Sequence, residues 1–283
     1  MNVNPLFVDD LIRLAVIEDL GAGDHTSLAT IPENANGKAM LLVKEDGIIA
    51  GIEIASKVFH EIDPEINFIP LLKDGDKVCN GDVAFTVEGK SVSLLSAERL
   101  ALNFLQRMSG IATKTNQLVS LLNGLPTKLL DTRKTTPNMR VFEKEAVRIG
   151  GGYNHRFGLY DMILIKNNHI DFAGGVIKAL EACFKYLKLN KIDVDIEIEV
   201  RNLDELNQAI SVGGFKRIML DNFSVEEMRR AVSIIGHQFE TEASGGINET
   251  TLRAYAETGV NYISVGALTH HIKSLDMSLR AVV

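Results

Sequence analysis

A chain of 283 residues with 46% hydrophobic and 24% charged residues is too apolar for disorder and long enough for a small domain plus an α/β barrel. Its net charge of -7 excludes non-specific nucleic-acid binding, which needs a broad basic footprint. Cys79 and Cys183 fall in no CxxC or Cys/His spacing and no apolar run approaches a membrane span, so a soluble, reduced, cytoplasmic protein is expected.

In chain order, residues 5 to about 20 are predicted helical, with Leu6, Leu11, Leu14, Ala15 and Ile17 as the apolar face, until GAGDHTS breaks the pattern. Lys38 to Gly89 reads as a small mixed domain. It holds the β-type runs AMLLVKEDG, IIAG and VAFTV, with DG, NG and EG turns and one helix, IEIASKVFHEI. A long helix follows from about Ser93 to Leu122, its buried face drawn from Leu94, Ala97, Ala101, Phe104, Leu105, Met108, Ala112, Thr115 and Val119, with Ser109-Gly110 a candidate kink.

After Pro126 strands alternate with helices: TKLLD, DMILI, VDIEIEV, RIMLD, FETEA and YISVG. The last four strand ends, Glu199, Asp221, Ser244 and Gly266, lie 22, 23 and 22 residues apart. Regular βα units without a GxGxxG motif favour a nearly closed (β/α) barrel over a doubly wound sheet. The fold class expected is α/β. Residues 1–112 form an N-terminal domain with the start of the linking helix, and 113–283 an incomplete (β/α) barrel whose closing residues are candidates to return to the first domain.

Ligand groups collect at the C-terminal ends of barrel strands. Here those ends carry Asp131-Thr132-Arg133-Lys134, Lys166, Glu199, Asp221, Ser244-Gly245-Gly246 and Gly266. The stretch from Lys128 to Lys166 holds eight Lys/Arg against four Asp/Glu, a local basic run in an acidic chain that suits a multiply anionic ligand. Arg133, Lys134, His155, Arg156 and Lys166 supply the charges. In MRVFEKEAVRI, Arg140, Lys144 and Arg148 share one face, read as solvated, and Gly150-Gly151-Gly152 leaves a flexible approach to Asn154-His155-Arg156.

EASGGI and SVGALTH follow the two final strands, where backbone N–H groups either bind a phosphate or form ordinary turns. Glu199 and Asp221 could hold a divalent metal, bind a sugar diol, offset positive charge, or pair with nearby cations. Glu197 alternates with Glu199, so both face the same side and only one need be functional. No H-x-H or HExxH arrangement involves His169, His270 or His271, which argues against a histidine metal site. Lys166 remains open between an electrostatic group and a Schiff-base lysine.

The motifs EDLGAGDHTS, SAERLALNFLQRMSGIAT, DTRKTTPNMR, EKEAVRIGGGYNHRFGLYDMILIKNNH, IEIEV, IMLDN, EASGGI and GVNYISVGALTHH together resemble the quinolinate phosphoribosyltransferase family over nearly the whole chain. The resemblance implies an N-terminal mixed α/β domain before a barrel of fewer than eight strands, in a homodimer or larger dimer-based assembly. It implies transfer of phosphoribosyl from 5-phosphoribosyl 1-diphosphate to quinolinate with Mg²⁺, giving nicotinate mononucleotide, diphosphate and carbon dioxide. Arg133, Lys134, His155, Arg156 and Lys166 would then line the quinolinate pocket, joined by Arg99 of a neighbouring subunit, and Thr132 would also bind substrate. Glu199 and Asp221 would contact the ribose and the Mg²⁺-diphosphate and, with Lys166, serve catalysis. Ser244, Gly245, Gly246 and Gly266 would hold the 5-phosphate, and Val265, Ala267 and His270 would also contact substrate. One departure is Asn138, where a glycine is more usual after TTP.

Overall fold

The computed structural model describes residues 5–282. Its first elements in chain order are α1 (Pro5–Leu20), α2 (His25–Thr30), β1 (Asn36–Val43), β2 (Gly47–Ile48), α3 (Ile52–Ile62), β3 (Asn67–Pro70), β4 (Lys77–Val78), β5 (Val83–Lys90) and α4 (Ser91–Leu121). Strand and helix then alternate as β6 (Lys128–Leu130), α5 (Arg140–Ile149), β7 (Ile163–Ile165), α6 (Asn167–Ala173), α7 (Val176–Asn190), β8 (Ile196–Val200) and α8 (Leu203–Val212). The remainder is β9 (Arg217–Asp221), α9 (Val225–Ile235), β10 (Glu240–Ser244), α10 (Leu252–Ala256), β11 (Tyr262–Ser264), α11 (Ala267–His270) and β12 (Met277–Ala281). Two compact units divide the chain. The first takes the residues up to Asn116, Thr135–Gly151 and everything from Leu268, and the second takes Gln117–Lys134 and Gly152–Ala267.

The first unit is built on an antiparallel sheet of order β12-β1-β5-β3, with β2 and β4 paired beside it. Helix α3 buries Ile52, Ala55, Val58 and Phe59, and the Phe59 ring meets Phe85 edge-on at 6.1 Å. The start of α3 is fixed by Asp74 Oδ1, which accepts the Gly51 and Ile52 N–H groups at 2.8 and 2.9 Å. Those are two of the donors that a helix start leaves without an intrahelical partner.

Four expectations for the chain up to the end of α5 are corrected. In α1 the buried side chain is Ile12, while Leu14 and Ile17 are 62% and 60% exposed, and the Leu6 side chain lies outside the described residues. Helix α4 runs through Ser109-Gly110 without a break. Ser109 Oγ instead accepts the Ala50 N–H and donates to the Ala50 carbonyl, and a Cβ on Gly110 would overlap the Lys273 carbonyl oxygen. At the far end of α4, Leu118 is buried and Val119 only partly so. The predicted solvated face of α5 fails at Lys144, which is 2% exposed beside the fully buried Glu143. Glu143 Oε1 accepts Arg107 Nε at 2.7 Å. Asn138 adopts a left-handed φ of 62°, a conformation that glycine takes freely and asparagine tolerates best among the other residues.

The second unit is a six-stranded parallel sheet of order β6-β11-β10-β9-β8-β7. Each strand from β7 to β11 lies beside its successor and β11 returns to β6. This is the strand order of a barrel, so the doubly wound alternative is set aside. Among the described residues no ladder joins β6 to β7, and only an isolated parallel bridge from Leu130 to Tyr153 lies there. Strand β8 is buried along its whole length, as expected where helices cover one face and side chains fill the other. Helices α8 and α9 start at local caps: Asn202 accepts the Glu205 N–H, and Ser224 forms a capping box with Glu227.

Candidate active site

The strand ends of the second unit surround a cavity of about 300 Å³. Thr132, Arg133, Lys134, His155, Arg156, Lys166 and Ser244 of the expected residues line it, together with Leu164, Met219, Glu242 and Ser264. The last four were not singled out from the sequence. Three of them precede a recognised strand-end residue, Lys166, Asp221 or Ser244, by two positions, and Ser264 so precedes Gly266. The two-residue period of a strand therefore carried their signal.

The approach to His155 is pinned and not flexible as expected. Asp131, fully buried at the end of β6, accepts the His155 N–H at 2.9 Å on Oδ1 and the Asn154 amide at 2.6 Å on Oδ2. The Arg156 N–H then donates to His155 Nδ1 at 2.7 Å, and Arg156 Nη1 to the Met162 carbonyl at 3.0 Å. Burial, then the neighbouring Arg133, lowers the Arg156 pKa from its ordinary value. Two guanidinium groups so close form a site prepared for an anion.

On the next strands, Lys166 Nζ lies 3.3 Å from Glu199 Oε2, and Glu199 Oε1 accepts the Asn167 N–H. His169 is accounted for by packing: its Nδ1 accepts the Lys166 N–H at 2.9 Å and closes a cap on α6. Burial, then the nearby Glu199, raises the Asp221 pKa, while the Asn222 amide, Lys166 and Lys134 act to lower it. Two carboxylates that repel each other beside cations form an oxygen-rich donor set of the kind Mg²⁺ accepts. Ser244 pairs in register with Asp221, and Gly245 and Gly246 follow with φ of 100° and 61°. Val265 donates its N–H to the Leu130 carbonyl. Ala267 closes the second unit, whereas Arg99, exposed on α4, and His270 belong to the first.

Beneath the cavity lies a charge cluster. His155 Nε2 stands 3.0 Å from Glu197 Oε2 and 3.5 Å from Glu242 Oε2, with both carboxyls fully buried. Arg217 Nη1 lies 3.0 Å from Glu242 and Nη2 3.1 Å from Glu240, and the guanidinium stacks 3.9 Å over the Tyr262 ring. Burial pushes Glu197 up, and burial and Glu197 push Glu242 up, because the charged carboxylates lose solvation and one arginine is shared among three acids. His155, Glu197 and Glu242 offer ligand atoms within 4.8 Å of one another, but Arg217 already supplies the cation that such a group of acids requires. Glu197, left without a role by its alternation with Glu199, belongs to this layer.

A parallel α/β sheet with cations at its strand ends, acids facing them and glycine turns beside them is the layout of an enzyme site suited to a multiply anionic ligand. Comparison makes the class specific. Residues 24–109 match the N-terminal domain of quinolinate phosphoribosyl transferase and residues 111–280 its C-terminal domain. The quinolinate phosphoribosyltransferase [decarboxylating] 1b of Nicotiana tabacum is 45% identical over 95% of this chain and 81% of its own. The probable nicotinate-nucleotide pyrophosphorylase [carboxylating] of Bacillus subtilis is 44% identical over 98% and 94%. The structure of the nicotinate-nucleotide pyrophosphorylase from Francisella tularensis superposes with a TM-score of 0.92 at 44% identity, covering 99% of this chain and 98% of that one. The chain belongs to the quinolinate phosphoribosyltransferase family and is a phosphoribosyltransferase.

Proposed function

We propose that this enzyme joins quinolinate to the phosphoribosyl group of 5-phosphoribosyl 1-diphosphate, releasing diphosphate and carbon dioxide and leaving nicotinate mononucleotide. The observation that carries the reading is one cavity lined by Arg133, Lys134, Arg156 and Lys166 with the Ser244–Gly246 turn starting on its wall. A dianionic pyridine and a polyanionic sugar enter such a pocket only if fixed cations replace the water they lose.

In this reading Arg133, Lys134 and Arg156 grip the two quinolinate carboxylates, and the glycine turn receives the 5-phosphate on backbone N–H groups. As the anomeric C–O bond breaks, positive charge develops on the sugar, and Glu199 and Asp221 offset it. The pyridine nitrogen then attacks the anomeric carbon and becomes cationic. That charge stabilises the electron pair left on the ring carbon when the adjacent carboxylate departs as carbon dioxide, and a proton from solvent then forms the C–H bond of the product. Lys166 stays paired with Glu199 as an electrostatic group, so the reaction needs no Schiff base. Glu199 and Asp221 would hold Mg²⁺ through its diphosphate complex, and the ion supplies charge neutralisation of the leaving group.

We further place Arg99 in the quinolinate pocket of a second copy within a homodimer. Its exposure on α4 and the exposed Leu14 and Ile17 in the same unit support an association of copies. The enzyme is assigned to the cytoplasm on the free thiols of Cys79 and Cys183; no helix among the described residues is long and apolar enough to cross a membrane.

Purified protein given quinolinate, 5-phosphoribosyl 1-diphosphate and Mg²⁺ should release carbon dioxide in step with diphosphate. No turnover over a wide protein range would overturn the reading. Mixing Arg99→Ala with Lys166→Ala protomers should restore part of the activity; an inactive mixture would refute the shared site.

A further inference from the structure

Asn222 follows the last residue of β9 and is one of three non-glycine residues with positive φ among those described, at 58°. Such a conformation is costly for most side chains and is accepted by asparagine because its short amide bonds locally. Its N–H donates to the Ser244 carbonyl at 2.8 Å, extending the β9–β10 ladder one residue past its end. Its side-chain Nδ2 donates to Asp221 Oδ2 at 2.8 Å.

The other side of the same amide lies against Gly245. A Cβ on Gly245 would overlap Asn222 Oδ1, stand 2.6 Å from Cγ and 2.8 Å from the backbone N. The sequence suggests that glycine is required here for the approach of a ligand. The structure adds a second requirement: Asn222 occupies the space a side chain would need. One residue therefore touches both the carboxylate at the end of β9 and the turn at the end of β10.

We propose that Asn222 is a positioning residue for the phosphoribosyl half of the site, locking the Asp221 carboxylate and the Ser244–Gly246 turn into one rigid unit. It commits Asp221 Oδ2 to the amide and directs Oδ1 to the ligand. The inference rests on the assignment of Asp221 and the glycine turn to the phosphoribosyl donor. Asn222 acts through these groups and not on the pyridine dicarboxylate, which Arg133, Lys134 and Arg156 receive.

The test uses Asn222→Gly, which keeps the left-handed backbone and removes the amide, and Asn222→Asp, which keeps the volume but sets a second carboxylate against Asp221. Steady-state constants for both substrates, calorimetric affinity for 5-phosphoribosyl 1-diphosphate, and melting temperatures are measured on full-length protein. Asn222→Gly should melt close to wild type and leave KM for quinolinate within about twofold. KM or affinity for the phosphoribosyl donor should worsen about tenfold, the worth of a hydrogen bond to a charged group. Asn222→Asp should lose more. Unchanged donor affinity and kcat in Asn222→Gly overturn the inference, as does an equal loss for both substrates. Failure of wild-type protein to bind the donor at all would instead sink the functional assignment, and this inference with it.

Discussion

Replacing Glu242 with glutamine should remove a large part of the pH dependence of stability. Burial and the neighbouring Glu197 push the Glu242 carboxyl from 4.5 up to about 8. Between those values the folded protein holds a proton that the unfolded chain has released, so its contribution is fully present below pH 4.5 and is lost as pH rises toward 8. At about 1.4 kcal/mol per pH unit, the loss over this interval approaches about 5 kcal/mol. Glutamine has the shape of the neutral carboxylic acid and no proton to lose. Urea unfolding midpoints of wild type and Glu242→Gln at pH 5, 6, 7, 8 and 9 give the comparison, in which contributions from groups away from the buried cluster largely cancel. At pH 5 the variant should be no more stable than wild type. Its advantage should widen with each unit and level off above about pH 8, while Glu197, pushed up to about 7, keeps some slope in both proteins. Parallel curves across the series would refute the claim that Glu242 folds as a neutral acid.

Other outcomes follow from single contacts. Gly110→Ala should lower the melting temperature despite the helix-favouring change, because overlap with the Lys273 carbonyl costs about 1–3 kcal/mol; an increase would show that the tail yields. Asn138→Gly should leave turnover unchanged and stability within about 1 kcal/mol, since both residues accept the left-handed φ there. Arg133→Ala and Lys166→Ala should each cut turnover at least about 100-fold with little change in melting temperature, as each removes a cation lining the cavity and no core volume. Wild-type rates in either would contradict the site.

The parallel unit was legible because its strands and helices repeat with regular spacing and because strand ends concentrate polar residues. RIMLD is β9 to the residue, and IEIASKVFHEI is α3. Legibility failed where tertiary packing overrides local pattern. Ile12 is chosen over Leu14 and Ile17 by what α1 packs against, which periodicity alone does not state. Lys144 reads as solvated from its charge, yet it is buried beside Glu143 in a helix whose acids and bases are partly internal. Ser109-Gly110 carries the composition of a kink, but its reason lies at Ala50 and Lys273, far away in sequence. Met219, Glu242 and Ser264 stood two residues before recognised strand ends, and counting inward by two would have found them. Asn222 gave no periodic sign at all, since only a dihedral angle and a contact with another strand reveal it.

The closing strand β12 pairs along β1, with Leu279 opposite Leu41. That partnership makes the first sheet dependent on a strand far later in the chain, so β1 emerges long before the strand that covers its edge. With Thr135–Gly151 also drawn back into the same unit, the chain has no point at which its first half is finished. Folding in order of synthesis is closed to it: the unit begun first waits for β12, and an open strand edge must be tolerated until that strand has emerged.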